Sequence, residues 1–283
     1  MINNYQDFIE LKDSVGNGNS ETMEDCSAYE LVQYIFRDCS SFYNEFRAIN
    51  TKGNKDVIQI FHSTLEKELP FDELYELNKK GYDIYFGHAT RKLEKGTKDA
   101  VYEVSVLPVD IDLHEGESKQ ALAKQLDKRI KETGLTPSVI VDSGNGFHLY
   151  FKLRKNIKIF ADDDVQLVEG ATRWLASMFG GDNITDINRV MRLPGFFNNK
   201  DPKNPKKCSI VSLNKSIQYD ISDFGTISKP QTKITRIKLG ELSDKIPPRF
   251  YELLESNPKL KQTWNGQRDD LSDQSASGYD MSL

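Results

Sequence analysis

Val106-Leu-Pro-Val-Asp110-Ile-Asp112 is an apolar run that ends in two carboxylates two residues apart. Alternate side chains of a strand share a face, so Asp110 and Asp112 project together while Ile111 turns the other way into a core. Like charges that close repel, and a divalent metal is the usual remedy because hard cations prefer carboxylate oxygens. Downstream, Val139-Ile-Val-Asp-Ser143-Gly144-Asn145-Gly146-Phe147-His148-Leu-Tyr-Phe reads as strand, Gly-rich turn, strand. Such a turn can aim backbone N–H groups at a phosphate, and His148 stands just beyond it. Each piece alone has a plainer use: Asp-x-Asp as a cap or loop start, Asn-Gly as a hairpin turn, a His beside aromatics as a packed core residue. Together they are a metal-carboxylate pair facing a phosphate cradle, which is what nucleotidyl transfer needs.

A third acid and a set of cations follow. Gly180-Gly181 stops an amphipathic segment and presents Asp182, with Asp186 four residues on. Either can be the third carboxylate; if it is Asp182, Asp186 caps or braces the turn. Arg189 and Arg192, three apart on an expected helical turn, can face one side and grip phosphate bidentately. The alternative is one Arg paired with Asp186 and the other solvated. Asn199-Lys200-Asp-Pro-Lys203-Asn-Pro-Lys206-Lys207 is a Pro-punctuated basic loop suited to a nucleic-acid backbone.

These motifs resemble those of the archaeo-eukaryotic primase superfamily, in the primase-polymerase branch of plasmids, phages and other mobile elements. The first family motif, a strand with two acids one residue apart, is matched by Asp110 and Asp112. The second, a Ser-Gly turn ending in His, is matched by Ser143-Gly144-Asn145-Gly146-Phe147-His148. The third, a metal-binding Asp followed by Arg-x-x-Arg-Leu-Pro-Gly and Asn/His-x-Lys, is matched by Asp182 through Arg189-Val-Met-Arg192-Leu-Pro-Gly195 to Asn198-Asn199-Lys200. The resemblance spans roughly Phe71 to Leu213. It implies an α/β (α+β) catalytic core with a sheet like that of RNA-recognition modules, flanked by helices. It also implies a two-metal site of Mg²⁺ or Mn²⁺ on Asp110, Asp112 and Asp182. Nucleotide phosphates would lie on Ser143, Asn145, the amides around Gly144 and Gly146, and His148, with Arg189, Arg192 and Lys200 nearby. Arg91 matches, by position only, a family Arg near nucleotide or template; a solvated turn charge is the other reading. Implied partners are a single-stranded DNA template, NTP or dNTP, and a fused or separate helicase. No Cys-x-x-Cys pair occurs, so a structural zinc is not expected.

The elements that must position these groups are read from periodicity. Ser27 to about Arg47 is expected as one helix, with Leu31, Ile35 and Cys39 on a face. Val57–Phe61 and Tyr82–Phe86 read as strands, with a short helix Phe71–Lys80 between them. Gly87–Lys92 reads as a polar turn. Lys119–Glu132 and Asp164–Phe179 are amphipathic helices. Lys152, Arg154, Lys155 and Lys158 read as a solvated hairpin end or, beside a phosphate site, part of a template track. Cys208–Leu213 closes the sheet. The expected division is a catalytic domain over 1–219, with an arm and loop in residues 1–25. A linker over 220–245 and the start of a helical region over 246–283, cut from something longer, complete it.

The chain of 283 residues is 37% hydrophobic and 10% aromatic, enough for a core, and 29% charged. It has no long apolar run and no signal-like start, so no membrane partner and a cytoplasmic location are expected. A net charge of −5 does not advertise a nucleic-acid binder, yet a basic groove can sit on an acidic body. The activity that the resemblance implies is a DNA-templated primase-polymerase. Alternatives are a gap-filling repair polymerase of the same superfamily, a metal nuclease or nickase, and a non-catalytic single-stranded-DNA-binding module. The four histidines form no His-x-His pair, which disfavours the nickase.

Overall fold

The computed structural model describes residues 27–227, apart from 41, 51, 53–55, 66–67 and 184, and residues 248–264. The expected N-terminal arm, most of the expected linker and the end after Trp264 lie outside the described residues.

The described residues of the first unit, which ends at Lys229, are built on one antiparallel sheet. Its elements run α1 (Ser27–Phe36), β1 (Tyr43–Ile49), β2 (Val57–Ser63), α2 (Phe71–Lys79), β3 (Asp83–Gly87), β4 (Ala89–Arg91) and β5 (Val101–Asp112). Then come α3 (Lys119–Thr133), β6 (Val139–Asp142), β7 (Gly146–Lys158), α4 (Asp162–Phe179), β8 (Val190–Arg192), β9 (Phe197–Asn198), β10 (Lys206–Lys207) and β11 (Ser209–Leu213). Strand order is β11-β6-β7-β5-β4-β1-β3-β8, with β2 paired to β1, and β9–β10 form a separate ribbon. This is the mixed α/β class expected from the sequence.

The long β5–β7 pair is the spine, because its apolar residues face both ways. Leu107, Val109, Ile111, Phe147, Leu149 and Phe151 pack under α3 and α4. Val106 and Tyr150 join Phe46, Phe86, Leu31 and Ile35 under α1 and α2. A strand covered on both faces reads as a continuous apolar run, as β5 does. α3 is framed by its termini: Ser118 Oγ accepts from Ala121 N, and Gly134 closes the helix at φ 69°. The Asp164 carboxylate accepts from the Phe160 and Ala161 amides at the start of α4.

Several expectations are corrected. The segment Ser27–Arg47 is not one helix: α1 ends at Phe36, and Tyr43–Ile49 is a strand. Phe46 and Ala48 alternate inward there, a period-2 pattern that outweighs the helical spacing of the preceding residues. The expected polar turn Gly87–Lys92 contains strand β4, joining β5 to β1. Lys152 is not part of a solvated hairpin end; it is buried, and β7 continues past it to Lys158 through a shift in its register with β5. Residues 220–227, expected as linker, pack on the core: Phe224 stacks with Phe151, Tyr219 and Trp174, and Ile227 N donates to Gly170 O. In the second unit, α5 (Pro248–Ser256) ends before Pro258, and Pro258 opens α6 (Pro258–Trp264). Among the described residues no helix is long and apolar enough to cross a membrane.

Candidate active site

Asp110 and Asp112 end β5 on one face, while Ile111 is buried on the other. Asp110 lies directly across from His148 in the β5–β7 ladder, so both side chains share that face. His148 Nε2 is 3.4 Å from Asp110 Oδ1. The hairpin loop is tied back to β5 by Leu113 N donating to Asn145 O at 2.9 Å. The first two sequence motifs are therefore one cross-strand constellation.

The third acid arrives from α4. After Gly180, Asp182 N donates to Asp110 O at 2.8 Å, which fixes the loop beside β5. Gly181 is required there, because a Cβ would stand 2.8 Å from the Asp110 carbonyl oxygen. Asp110, Asp182, Asp186 and Arg189 line a cleft of about 10 Å³, the size of one water or ion. Both candidates for the third carboxylate thus border the same space. Arg189 Nη2 bonds Asp110 Oδ2 at 2.7 Å and stands 3.8 Å from Asp182 Oδ2. The arginine pairs with Asp110, while its amide donates to Asp186 O.

Electrostatics tie the acids together. Partial burial pushes the Asp112 carboxyl up, and the charges of Asp110 and Asp182 push it further; Lys200 and Arg189 oppose them. Burial drives His148 down despite the Asp110 charge, so the imidazole is neutral in the folded protein at neutral pH. Its Nδ1 is buried with no hydrogen-bond partner. Tyr85, on strand β3, is pushed to about 12 by burial and by Asp83, Asp110 and Asp112, against Arg192.

Arg192 is placed by a strand rather than by the expected helical turn, and Arg189 sits at the end of the 186–189 turn just before it. Val190–Arg192 is strand β8, paired with β3. Arg192 Nη2 bonds buried Asp83 at 3.0 Å, and its guanidinium lies 4.8 Å over the Tyr85 ring. Asp83 also accepts from Asn199 N at 2.6 Å, so one buried carboxylate holds both Arg192 and the segment leading to Lys200. The Asn198 side chain donates to Ser143 O at 2.9 Å and accepts from Lys200 N.

The Ser143–Gly146 turn departs from a bare amide cradle. Ser143 N donates to Gly146 O, and Gly144 N donates to the Asp142 carboxylate. Those two amides are committed within the hairpin. Lys119 binds Asp142 and the Gly144 carbonyl, and Lys206 Nζ donates to Asn145 Oδ1 at 2.8 Å. Gly144 has φ 92°, and a Cβ there would press on Asn198 and Lys206 at 3.1–3.2 Å. Lys119, Asp83, Tyr85 and Lys206 were not singled out from the sequence. Only Lys206 had a signal, the basic loop after Lys200; the others need the fold to bring them in.

Arg91 is a correction. It is 0% exposed and lies in the core, not at the nucleotide face. Its Nε bonds Glu45 Oε2 at 2.9 Å, and Nη1 and Nη2 bond Ala89 O and Asn188 O. It reaches the site only through the backbone that carries Arg189.

A divalent metal fits the donor set in kind: the acids are hard oxygen ligands, and burial, with the charges of Asp110 and Asp182 added, raises Asp112. Among the described residues, no three Asp, Glu, His or Cys side chains are gathered closely enough to hold an ion as they stand. Arg189 supplies the positive charge between Asp110 and Asp182 instead.

Residues 119–221 match the family model of the RepB DNA-primase N-terminal domain. The match begins after Asp112 and includes His148, Asp182, Arg189, Arg192 and Lys200. No curated protein matches the chain significantly. Among solved structures, the chain resembles primase RepB′ with a TM-score of 0.50 at 16% identity, over 84% of this chain and 71% of that one. It also resembles the catalytic domain of primase RepB′ solved with initiator DNA, at a TM-score of 0.48 and 18% identity, over 68% of this chain and 88% of that one. The likeness to primase RepB′ is one of fold. The family match agrees with the resemblance to plasmid-type primases read from the sequence, and the shared fold agrees with the α/β core expected from it.

Proposed function

We propose that the chain is a DNA-templated primase-polymerase that makes and extends primers from NTPs or dNTPs in the replication of a mobile element. The observation that carries the reading is the cross-strand pair Asp110–His148, with Asp112 on the same face and Asp182 held against the Asp110 backbone. Asp110, Asp112 and Asp182 would hold Mg²⁺ or Mn²⁺, with Asp186 as the alternative third ligand. When bound, such ions activate a 3′-hydroxyl and neutralise the triphosphate.

The chain's own residues supply the rest. Neutral His148 donates one N–H to a phosphate oxygen without adding charge. Ser143 and Asn145, with Lys206 behind Asn145, present polar groups along the triphosphate. Lys200 and Arg192 add positive potential where pyrophosphate leaves. Arg189 must give up Asp110 for the acids to take an ion, and its guanidinium is then available to phosphate. Single-stranded DNA is the template, and a helicase, fused or separate, is the expected partner in replication.

The test is nucleotide incorporation on unprimed single-stranded DNA with Mg²⁺ or Mn²⁺, comparing the wild type with Asp110→Asn. Products from the wild type alone support the reading. Extension of a supplied primer without new starts favours a gap-filling polymerase. No incorporation with either metal overturns it in favour of a binding module.

A further inference from the structure

Lys152 is a charge with too few partners. It sits on β7, on the same face as His148 and four residues further along, about 13 Å away at ~3.3 Å per residue. It is 3% exposed, and its ammonium has one hydrogen-bond partner, the Ile35 carbonyl near the end of α1, at 3.0 Å. Ser105 Oγ already donates to that same carbonyl at 2.6 Å. Asp38 and Glu103 contribute charge from farther off, but neither is in ion-pair contact with the ammonium. An ammonium carries three donors, and a buried cation is costly unless it is paired. Burial pulls its pKa down accordingly. The helix terminus offsets part of this cost and leaves donors to spare.

Those donors border a cavity of about 250 Å³ between α1 and the segment after β11. Tyr29 and Tyr34 supply rings, and Arg37 and Lys215 supply further cations. The rim charges pair off, Glu30 with Lys215 at 3.4 Å and Asp38 with Arg37 at 3.6 Å, which leaves Lys152 as the uncompensated charge of the cavity. One uncompensated buried cation, a charge-balanced rim and two aromatic rings around a cavity of this size match one nucleotide unit and leave no room for a duplex.

We propose that this cavity is a second nucleotide-unit site, with a phosphate on Lys152 flanked by Arg37 and Lys215 and a base against Tyr29 or Tyr34. It takes either a free nucleotide or one residue of a single strand, and it is separate from the acidic site. It does not rest on the polymerase reading, so a failed incorporation assay leaves it standing.

The experiment measures binding of dTMP and of fluorescent dT12 to the full chain, with wild type, Lys152→Met, Lys215→Gln and Tyr29→Ala. Lys152→Met is expected to weaken one class of sites at least tenfold while thermal stability holds or rises, because an unpaired buried charge has been removed. Tyr29 and Lys215 are exposed, so their variants report on the site even if Lys152→Met folds poorly. Each should weaken the same class severalfold. Loss for both dTMP and dT12 assigns the site to nucleotides in general; loss for dT12 alone, with a salt slope shallower by about 0.7, assigns it to the strand. Unchanged binding in all three variants, or a lower Tm for Lys152→Met with binding intact, makes Lys152 a helix cap and overturns the proposal.

Discussion

Two arginine–carboxylate pairs face each other across the 186–189 turn, and they are opposites. Arg91 and Glu45 are both 0% exposed, and every direction of the guanidinium ends on an acceptor: Glu45, Ala89 O or Asn188 O. Glu45 is further bonded by Arg47 and Gln59. Arg189 and Asp110 are each 18% exposed, and Asp110 is also approached by His148 while Asp182 and Asp112 stand nearby. The first pair is closed, and its carboxylate is fully neutralised. The second has more negative charge than the protein neutralises and opens onto solvent. A closed buried network gives a fixed frame; an unbalanced, accessible one is the place for a cationic or phosphate ligand.

The sharpest way to break this contrast is to remove charge from the open site. Asp112→Asn should lower nucleotide incorporation on the order of 10⁴-fold, about 5 kcal/mol, with Tm unchanged or slightly raised because the like-charge repulsion is relieved. A variant that keeps incorporation near the wild-type rate would remove Asp112 from the chemistry.

The closed pair should respond the other way. Glu45→Ala leaves Arg91 buried and unpaired and should cost about 3 to 5 kcal/mol of stability in denaturant unfolding. At a temperature where the variant is still folded, incorporation should fall far less than for Asp112→Asn. If Glu45→Ala unfolds at the wild-type denaturant midpoint, Arg91 is not held as described.

Lys206 lies between the two cases. It braces Asn145 from outside the hairpin, so Lys206→Ala should raise the apparent nucleotide KM about tenfold, about 1.4 kcal/mol, with kcat and Tm little changed. A fall in kcat with KM constant would place Lys206 at the leaving group instead.

Legibility in the sequence followed the same division. Asp110, Asp112 and His148 were readable because strand alternation and hairpin register are local rules. Asp182 was readable because Gly180-Gly181 ends a periodic helix. Arg91 was misread because position in a motif says nothing of burial; only the pairing of β4 with β1 brings Glu45 to it. Arg192 was placed on a helical turn, since three-residue spacing suits a helix, but pairing with β3 made Val190–Arg192 a strand. Lys152 was taken for a solvated charge because its neighbours Arg154, Lys155 and Lys158 are charged. What escaped sequence reading was tertiary: ion pairs between residues about fifty to a hundred and ten positions apart.

The smallest effect separates two glycines that share a positive φ. Gly134, at φ 69°, closes α3 with nothing within 4 Å of a would-be Cβ, whereas Gly144, at φ 92°, lies against Asn198 and Lys206. Alanine in the left-handed region costs about 1 kcal/mol at either position, a Tm loss of about 2 to 4 °C for a chain of this size. Gly134→Ala should lose that stability and leave nucleotide affinity untouched. Gly144→Ala should lose at least as much and also weaken nucleotide affinity severalfold, because the contacts it displaces are the ones that hold Ser143 and Asn145. Equal nucleotide affinity in the two variants would mean that the hairpin is only a turn, and His148 would then reach the acidic site without a cradle beside it.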